Sequence, residues 1–303
     1  MGSKLLYYGL IYPLSLCPFW FLYALSDFLY IVMYKWIGYR KKVVFNNLQN
    51  SFPDKEKKEI QRIAAKFYAH LCDLIVESIK AFSISREEAL KRMKNRNIEL
   101  INQFHEQQKP VIMVGGHYGN WELYAITIGI ELQSTPIALY TPLTNKFINK
   151  KITESRSKYG LEMLSISKVK KKLKGDNIKQ YAVIFVSDQS PRKTQKAYWM
   201  RFLNQETGVQ HGAEKMAKEQ NAAVVFGNIY KVKRGFYEVE YQLICRNANK
   251  TPYGFITQKH TQMLEKDIQK QAEFWLWSHK RWKHQRPADE PLHAPLESKA
   301  QNS

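Results

Sequence analysis

The chain has 303 residues, 44% hydrophobic and 24% charged, a balance that supports a large packed core and excludes a wholly disordered chain. Lys and Arg number 47 against 27 Asp and Glu, so the formal net charge of +20 predicts an anionic partner: nucleic acid, anionic lipid headgroups, a phosphorylated sugar or an acidic carrier protein. Three cysteines, Cys17, Cys72 and Cys245, cannot build a disulfide framework, and no Cys-x-x-Cys occurs.

The first element is apolar. Leu5 to Ser26 contains no charged residue, and spanning hydrocarbon takes roughly 20 apolar residues. A cleaved signal peptide fits poorly, because the run is long and no small-x-small site follows it. An N-terminal hydrophobic membrane-anchor helix is therefore expected. Pro13 and Pro18 weaken a straight span and leave a kinked or half-inserted anchor open, as well as a helix pair buried in a soluble core. The density of Tyr and Trp favours the membrane interface. Lys35, Arg40, Lys41 and Lys42 follow the run, which places everything after about residue 40 on the cytoplasmic side. The expected division is an anchor over 1–40, a main domain over 41–286 and a loose tail over 287–303, where Pro287, Pro291 and Pro295 fall.

Within the main domain, residues 54–80 place Ile60, Ile63, Ala64, Phe67, Leu71, Leu74 and Ile75 at helical spacing. Residues 86–107 read as further helix. Val111–Val114 reads as a buried strand broken by Gly115-Gly116, and NWELYAITIGIEL as the helix after it. PIALY is strand, NKFINKKITESRSKYG a basic helix ending at Gly160, LEMLSI strand, VKKKLKGDNIKQ helix and turn, and YAVIFVS an apolar strand. HGAEKMAKEQN is helix. AAVVFGNIYKV and GFYEVEYQLI read as antiparallel strands joined near Gly235, and residues 256–277 as a last helix. Strands alternating with helices predict an α/β fold with a mixed sheet flanked by helices.

The chemistry concentrates in GGHYGNWE, residues 115–122. His117 falls just past the end of a buried strand, where α/β sheets tend to place ligands. Glu122 falls in the first turn of the next helix. A corner made tight by Gly115, Gly116 and Gly119 lets a carboxylate there accept from one ring nitrogen, which leaves the other free to take a proton from a hydroxyl. The same residues also read as a helix start in which Asn120 caps, Glu122 complements the dipole and His117 is a loop histidine. No Gly-x-Ser-x-Gly elbow offers a serine nucleophile. His211 and Glu214 have ligand spacing but lack a second matching pair, so no metal is expected.

This octet resembles the His-x4-Asp/Glu block of the lysophospholipid acyltransferase superfamily. Its GGHxGNWE form is similar to the late acyltransferases of lipid A biosynthesis, the lauroyl and myristoyl transferases. YTPLTN (140–145) with Arg156 and Gly160, FVSDQS (185–190) and WLWSHKRWK (275–283) resemble further blocks of that family, and the likeness runs over about residues 5–285. MRFLNQETGVQHGAEKMAK and VVFGN depart from the family pattern, which bears on acceptor and acyl-chain choice. The resemblance implies a glycerol-phosphate-acyltransferase-like fold and O-acyl transfer, without a cofactor, from an acyl carrier protein thioester to a hydroxyl of a lipid A precursor. His117 and Glu122 would be the catalytic pair, with His117 the base; Gly116, Asn120, Asn145, Arg156, Asp188 and Gln189 would bind substrate. An anionic phospholipid surface and a lipid acceptor would be partners, nucleic acid would not, and the location would be the cytoplasmic side of a bacterial inner membrane. Another acceptor, an aminolipid or glycolipid, and a membrane-tethered basic binding protein are the competing expectations.

Overall fold

A computed structural model describes residues 2–173, 175–192 and 194–296. The helices are α1 (Gly2–Leu6), α2 (Tyr12–Leu16), α3 (Phe19–Tyr30), α4 (Lys41–Ser51), α5 (Lys57–Lys80), α6 (Arg86–Arg92), α7 (Glu99–Glu106), α8 (Trp121–Glu131), α9 (Lys146–Arg156), α10 (Val169–Lys172), α11 (Gly212–Glu219) and α12 (Phe255–Lys270). The strands are β1 (Met93–Asn95), β2 (Val111–Gly115), β3 (Thr135–Tyr140), β4 (Glu162–Ser165), β5 (Tyr181–Val186), β6 (Ala197–Phe202), β7 (Gln205–Gln210), β8 (Ala223–Lys233) and β9 (Phe236–Cys245).

Seven strands form one sheet in the order β1-β9-β8-β2-β5-β3-β4. Every neighbouring pair is parallel except β8 with β9, so the sheet is mixed, as predicted. Its central strands are buried on both faces, which is why β2 reads as an unbroken apolar run. Side chains alternate between the faces. Ile112, Val114, Val183 and Val224 join the core under α4, α5, α11 and α12, whereas Val111, Met113, Ala182 and Val225 join the core under α6, α7 and α8.

Four expectations change. The apolar N-terminal run is cut at Cys17, whose extended backbone is what a residue preceding Pro18 adopts. Among the described residues no helix is long and apolar enough to cross a membrane, so the predicted spanning anchor is not formed. Instead α3 lies across α5: Leu22 is fully buried, Tyr23 Oη donates to Glu77 at 2.9 Å, and Ser26 Oγ donates to Asp73 at 2.8 Å.

The helix predicted over 86–107 is interrupted by β1, because Met93–Asn95 pairs with β9. A hairpin, β6–β7, stands over 197–210, where the sequence reading assigns no element. Its turn residues Leu203 and Asn204 both have positive φ, without the glycine that would have marked it. The last helix stops at Lys270, and Trp275 is extended. The chain then returns over the C-terminal edge of the sheet, where Tyr118 bridges Trp275. Residues 287–296, predicted loose, dock in part: His293 stacks on Tyr198 at 4.1 Å and Leu296 N–H donates to Gln258. Residues 297–303 of the predicted tail lie outside the described residues.

Candidate active site

Parallel pairing builds the centre of the site. Gly115 of β2 is opposite Val186 of β5. Continuing two residues beyond the ladder brings His117 opposite Asp188. His117 Nδ1 lies 2.7 Å from Asp188 Oδ1, and the His117 backbone N–H donates to Oδ2 at 2.8 Å. Trp275 Nε1–H donates to the same Oδ2 at 2.9 Å. Asp188 is thus the partner of the imidazole, where the sequence points to Glu122.

Burial would raise the Asp188 pKa. The charge and hydrogen bonds of His117 and the bond from Trp275 outweigh it and hold the carboxyl at about 2. Burial would lower the His117 pKa. Asp188, through charge and hydrogen bond, and the charge of Glu122 overcome both burial and Arg156, so the ring titrates above its ordinary value. With Nδ1–H donated to Asp188, Nε2 carries the lone pair. Gln189 Nε2 lies 3.3 Å from it, and Trp121 meets the ring edge-on with centroids 5.2 Å apart.

Glu122 is held elsewhere. Arg156, the last residue of α9, donates through Nε at 2.9 Å and through a terminal nitrogen at 2.5 Å to its two oxygens. This fork takes two of the three guanidinium nitrogens, so Arg156 is less open to phosphate than its basic helix implies. Glu122 still acts on His117 through its charge, but it does not orient the ring.

Beside His117 opens a cavity of about 350 Å³. Met113, Ala125, Leu139, Leu161, Met163, Ile184, Phe185 and Ile229 give it apolar walls; His117, Gln189 and Arg156 provide polar groups. Gly116 lines it too. A Cβ there would come within 2.7 Å of Leu264, so this position has no room for a side chain.

The two asparagines read as substrate ligands cap helices, and neither lines the cavity. Asn120 is fully buried: its oxygen accepts from Leu123 N–H, and its Nδ2 donates to Glu77 at 2.5 Å. Asn145 accepts from Phe147 and Ile148 N–H at the start of α9. Glu214 accepts from Gly254 N–H and from Thr257 N–H and Oγ1–H, which engages the carboxylate that had ligand spacing with His211. Among the described residues no group of three or more His, Cys, Asp or Glu could hold a metal ion.

Sequence reading missed two supports. Trp275 falls at the end of the predicted last helix with no role of its own, yet its N–H holds Asp188. Glu77 falls within the helical spacing of residues 54–80 with no role of its own. It fixes the Asn120 cap while accepting from Tyr23 and Tyr237 hydroxyls, and burial, aided by Asp73, raises its pKa to about 7. A carboxylate on the inward face of a strongly amphipathic helix is the available signal.

A covered mixed sheet that presents a histidine–carboxylate pair beside an apolar cavity suits acyl transfer, and the chain is an acyltransferase. Residues 2–284 match the sequence model of the family described as bacterial lipid A biosynthesis acyltransferase, and the chain belongs to that family. It is 22% identical over 250 residues to the lipid A biosynthesis palmitoleoyltransferase of Escherichia coli (strain K12), covering 80% of this chain and 79% of that protein. It is 23% identical over 247 residues to a lipid A biosynthesis acyltransferase of Haemophilus influenzae, covering 80% and 78%.

Proposed function

We propose that this enzyme moves a fatty acyl group from an acyl carrier protein thioester to a hydroxyl of a lipid A precursor at the cytoplasmic face of a bacterial inner membrane. One observation carries the reading: His117 gives Nδ1 to Asp188 and leaves Nε2 beside an apolar cavity able to take an acyl chain. The acceptor oxygen attacks the thioester carbonyl as its proton passes to His117 Nε2. The C–S bond then breaks, and the imidazolium returns the proton to the leaving thiolate. Asp188 keeps the ring in the tautomer this needs and stabilises the imidazolium. The net charge of +20 favours docking of an acidic carrier and of anionic acceptor phosphates.

The N-terminal helices supply the membrane contact without a span. Leu5, Leu6, Tyr8, Leu10, Trp20, Phe21, Phe28, Trp36 and Ile37 are exposed on them, next to Lys35, Arg40, Lys41 and Lys42. Large apolar and aromatic side chains beside lysines suit a segment lying in the headgroup layer. Replacing Trp20 and Trp36 by Ser is expected to lower sedimentation with anionic vesicles several-fold, leaving thermal unfolding unchanged. Unaltered sedimentation would remove this face from the membrane contact.

The decisive test of the chemistry is His117→Ala, assayed with acyl carrier protein thioester and lipid A precursor per folded molecule. Losing the general base is expected to cut the rate about 10²–10⁴-fold. A full rate would end the assignment. Lipid mass spectrometry of cells with and without the gene then names the acceptor, and an aminolipid or another glycolipid that loses one acyl group would replace lipid A.

A further inference from the structure

Behind Asp188, on the side away from the acyl cavity, lies a second and much smaller space of about 10 Å³. The sheet edge contributes Ser187 and Asp188 to its walls, the β6–β7 hairpin Phe202 and Val209, α12 His260, and the C-terminal segment Arg281. About one water molecule fits a space of that size.

Two buried polar atoms there have no hydrogen-bond partner among the described residues: Arg281 Nε and His260 Nε2. Arg281 is 3% exposed and His260 4%. Arg281 donates to Gly208 O at 2.8 Å from a terminal nitrogen, and among the described residues it forms no ion pair. A buried guanidinium without a counter-ion is costly. Its electrostatic counter-charge is Asp188, the same carboxylate that holds His117.

We propose that Arg281 is a positioning residue of the active site, joined to Asp188 and His260 by a single bound water, and that its charge limits how strongly Asp188 favours the His117 imidazolium. The inference rests on the reading of His117 as general base. The water accepts from Arg281 Nε–H and donates toward Asp188 and His260 Nε2, which satisfies both orphaned atoms. Burial lowers the Arg281 pKa to about 10 and that of His260 to about 4, so at neutral pH the first is a cation and the second a neutral acceptor.

Asp188 therefore lies between two cations whenever His117 is protonated. Without Arg281 the carboxylate would hold the imidazolium more tightly and make His117 a poorer proton releaser. The other charged or titratable groups facing His117 are Glu122 on α8, Arg156 on α9 and His279 on the C-terminal segment, where burial holds His279 at about 4. None of them neutralises Arg281.

The test compares Arg281→Gln, which removes the charge yet can still donate to Gly208 O, with Arg281→Lys, which keeps the charge. Two readouts are taken on full-length protein: the His117 ring pKa by histidine-selective NMR, and the pH profile of kcat/KM for acyl transfer. Arg281→Gln is expected to raise the ring pKa by roughly one unit, and with it the acid limb of the profile. Below that limb the rate then falls about tenfold, as the neutral ring fraction falls. Arg281→Lys should leave both in place.

An unmoved ring pKa in Arg281→Gln, with only a lower melting temperature, overturns the proposal. So does an equal shift in Arg281→Lys. A ring pKa that moves while the wild-type rate shows no limb near it overturns the general-base reading instead. A high-resolution crystal structure checks the bridge: one water bound to Arg281 Nε and His260 Nε2 supports it, and a dry cavity removes it.

Discussion

Two carboxylate pairs stand on either side of His117, and they are built in different ways. His117–Asp188 is made by sheet register: two parallel strands carry the partners into contact two residues beyond their last ladder position, and Trp275 closes the far side. Glu122–Arg156 is made by two helix ends, the first turn of α8 and the last residue of α9, and both side chains keep some exposure. The first pair is rigid and buried on the carboxylate side. Arg156 of the second pair lines both the cavity beside His117 and an apolar groove of about 200 Å³ beneath the N-terminal segment, and Glu122 lines the groove. The ring is thus oriented from the core, while the sequence-adjacent glutamate acts on it only through its charge.

The largest expected effect breaks the first pair. Asp188→Asn keeps the shape but presents an amide to Nδ1, so the ring can adopt the wrong tautomer. A drop of about 10²–10⁴-fold in kcat/KM is expected, near that of His117→Ala. The pH profile supplies the sign. In the wild type, Asp188 and Glu122 hold the His117 pKa above its ordinary value, so the rate is expected to climb with pH through that raised value as the ring becomes neutral. Removing Asp188 leaves burial dominant, and the limb should move below the ordinary histidine range. A limb that stays in place would show that Asp188 does not set the titration.

A smaller effect is expected from Glu122→Gln. It removes a minor upward influence on His117 and frees Arg156, a cation, so the limb moves down slightly; the plateau rate falls by much less than in Asp188→Asn, because a slightly weaker base accepts the proton less readily. If Glu122→Gln instead matched Asp188→Asn, the glutamate would be the orienting partner after all, and the arrangement of the two pairs would have to change on substrate binding.

The Glu122–Arg156 fork is expected to matter least for the rate and mainly for stability. Arg156→Gln alone leaves Glu122 without its fork in a half-buried wall, a cost of about 1–3 kcal/mol in thermal stability. Adding Glu122→Gln should recover part of that loss, since both charges are then gone. Strict additivity in the double variant would mean that the pair contributes no coupling.

Much of the site was legible locally. A glycine-flanked histidine after an apolar strand and an Asp-Gln pair after another both mark strand ends at one sheet edge, and the structure brings His117, Asp188 and Gln189 together there. Which carboxylate meets the ring was not legible, because Asp188 is 71 residues away and reaches His117 only through the β2–β5 register. Nor was the role of Asn145: a cap and a substrate ligand present the same residue type, and only the hydrogen bonds at the start of α9 separate them.

The α/β alternation, the buried central strands, the β8–β9 hairpin and the placing of a histidine at the sheet edge were all readable from the chain alone. Apolar runs, turn glycines and residue chemistry are local properties and are written in the chain directly. Tertiary structure alone decided the rest. It laid the apolar N-terminal run across α5 rather than in one long helix, because Pro18 breaks the run and Tyr23 and Ser26 find buried carboxylates there. It closed Trp275 and Arg281 behind Asp188, since a buried carboxylate takes its partners from whichever segments pack against it, however distant in sequence.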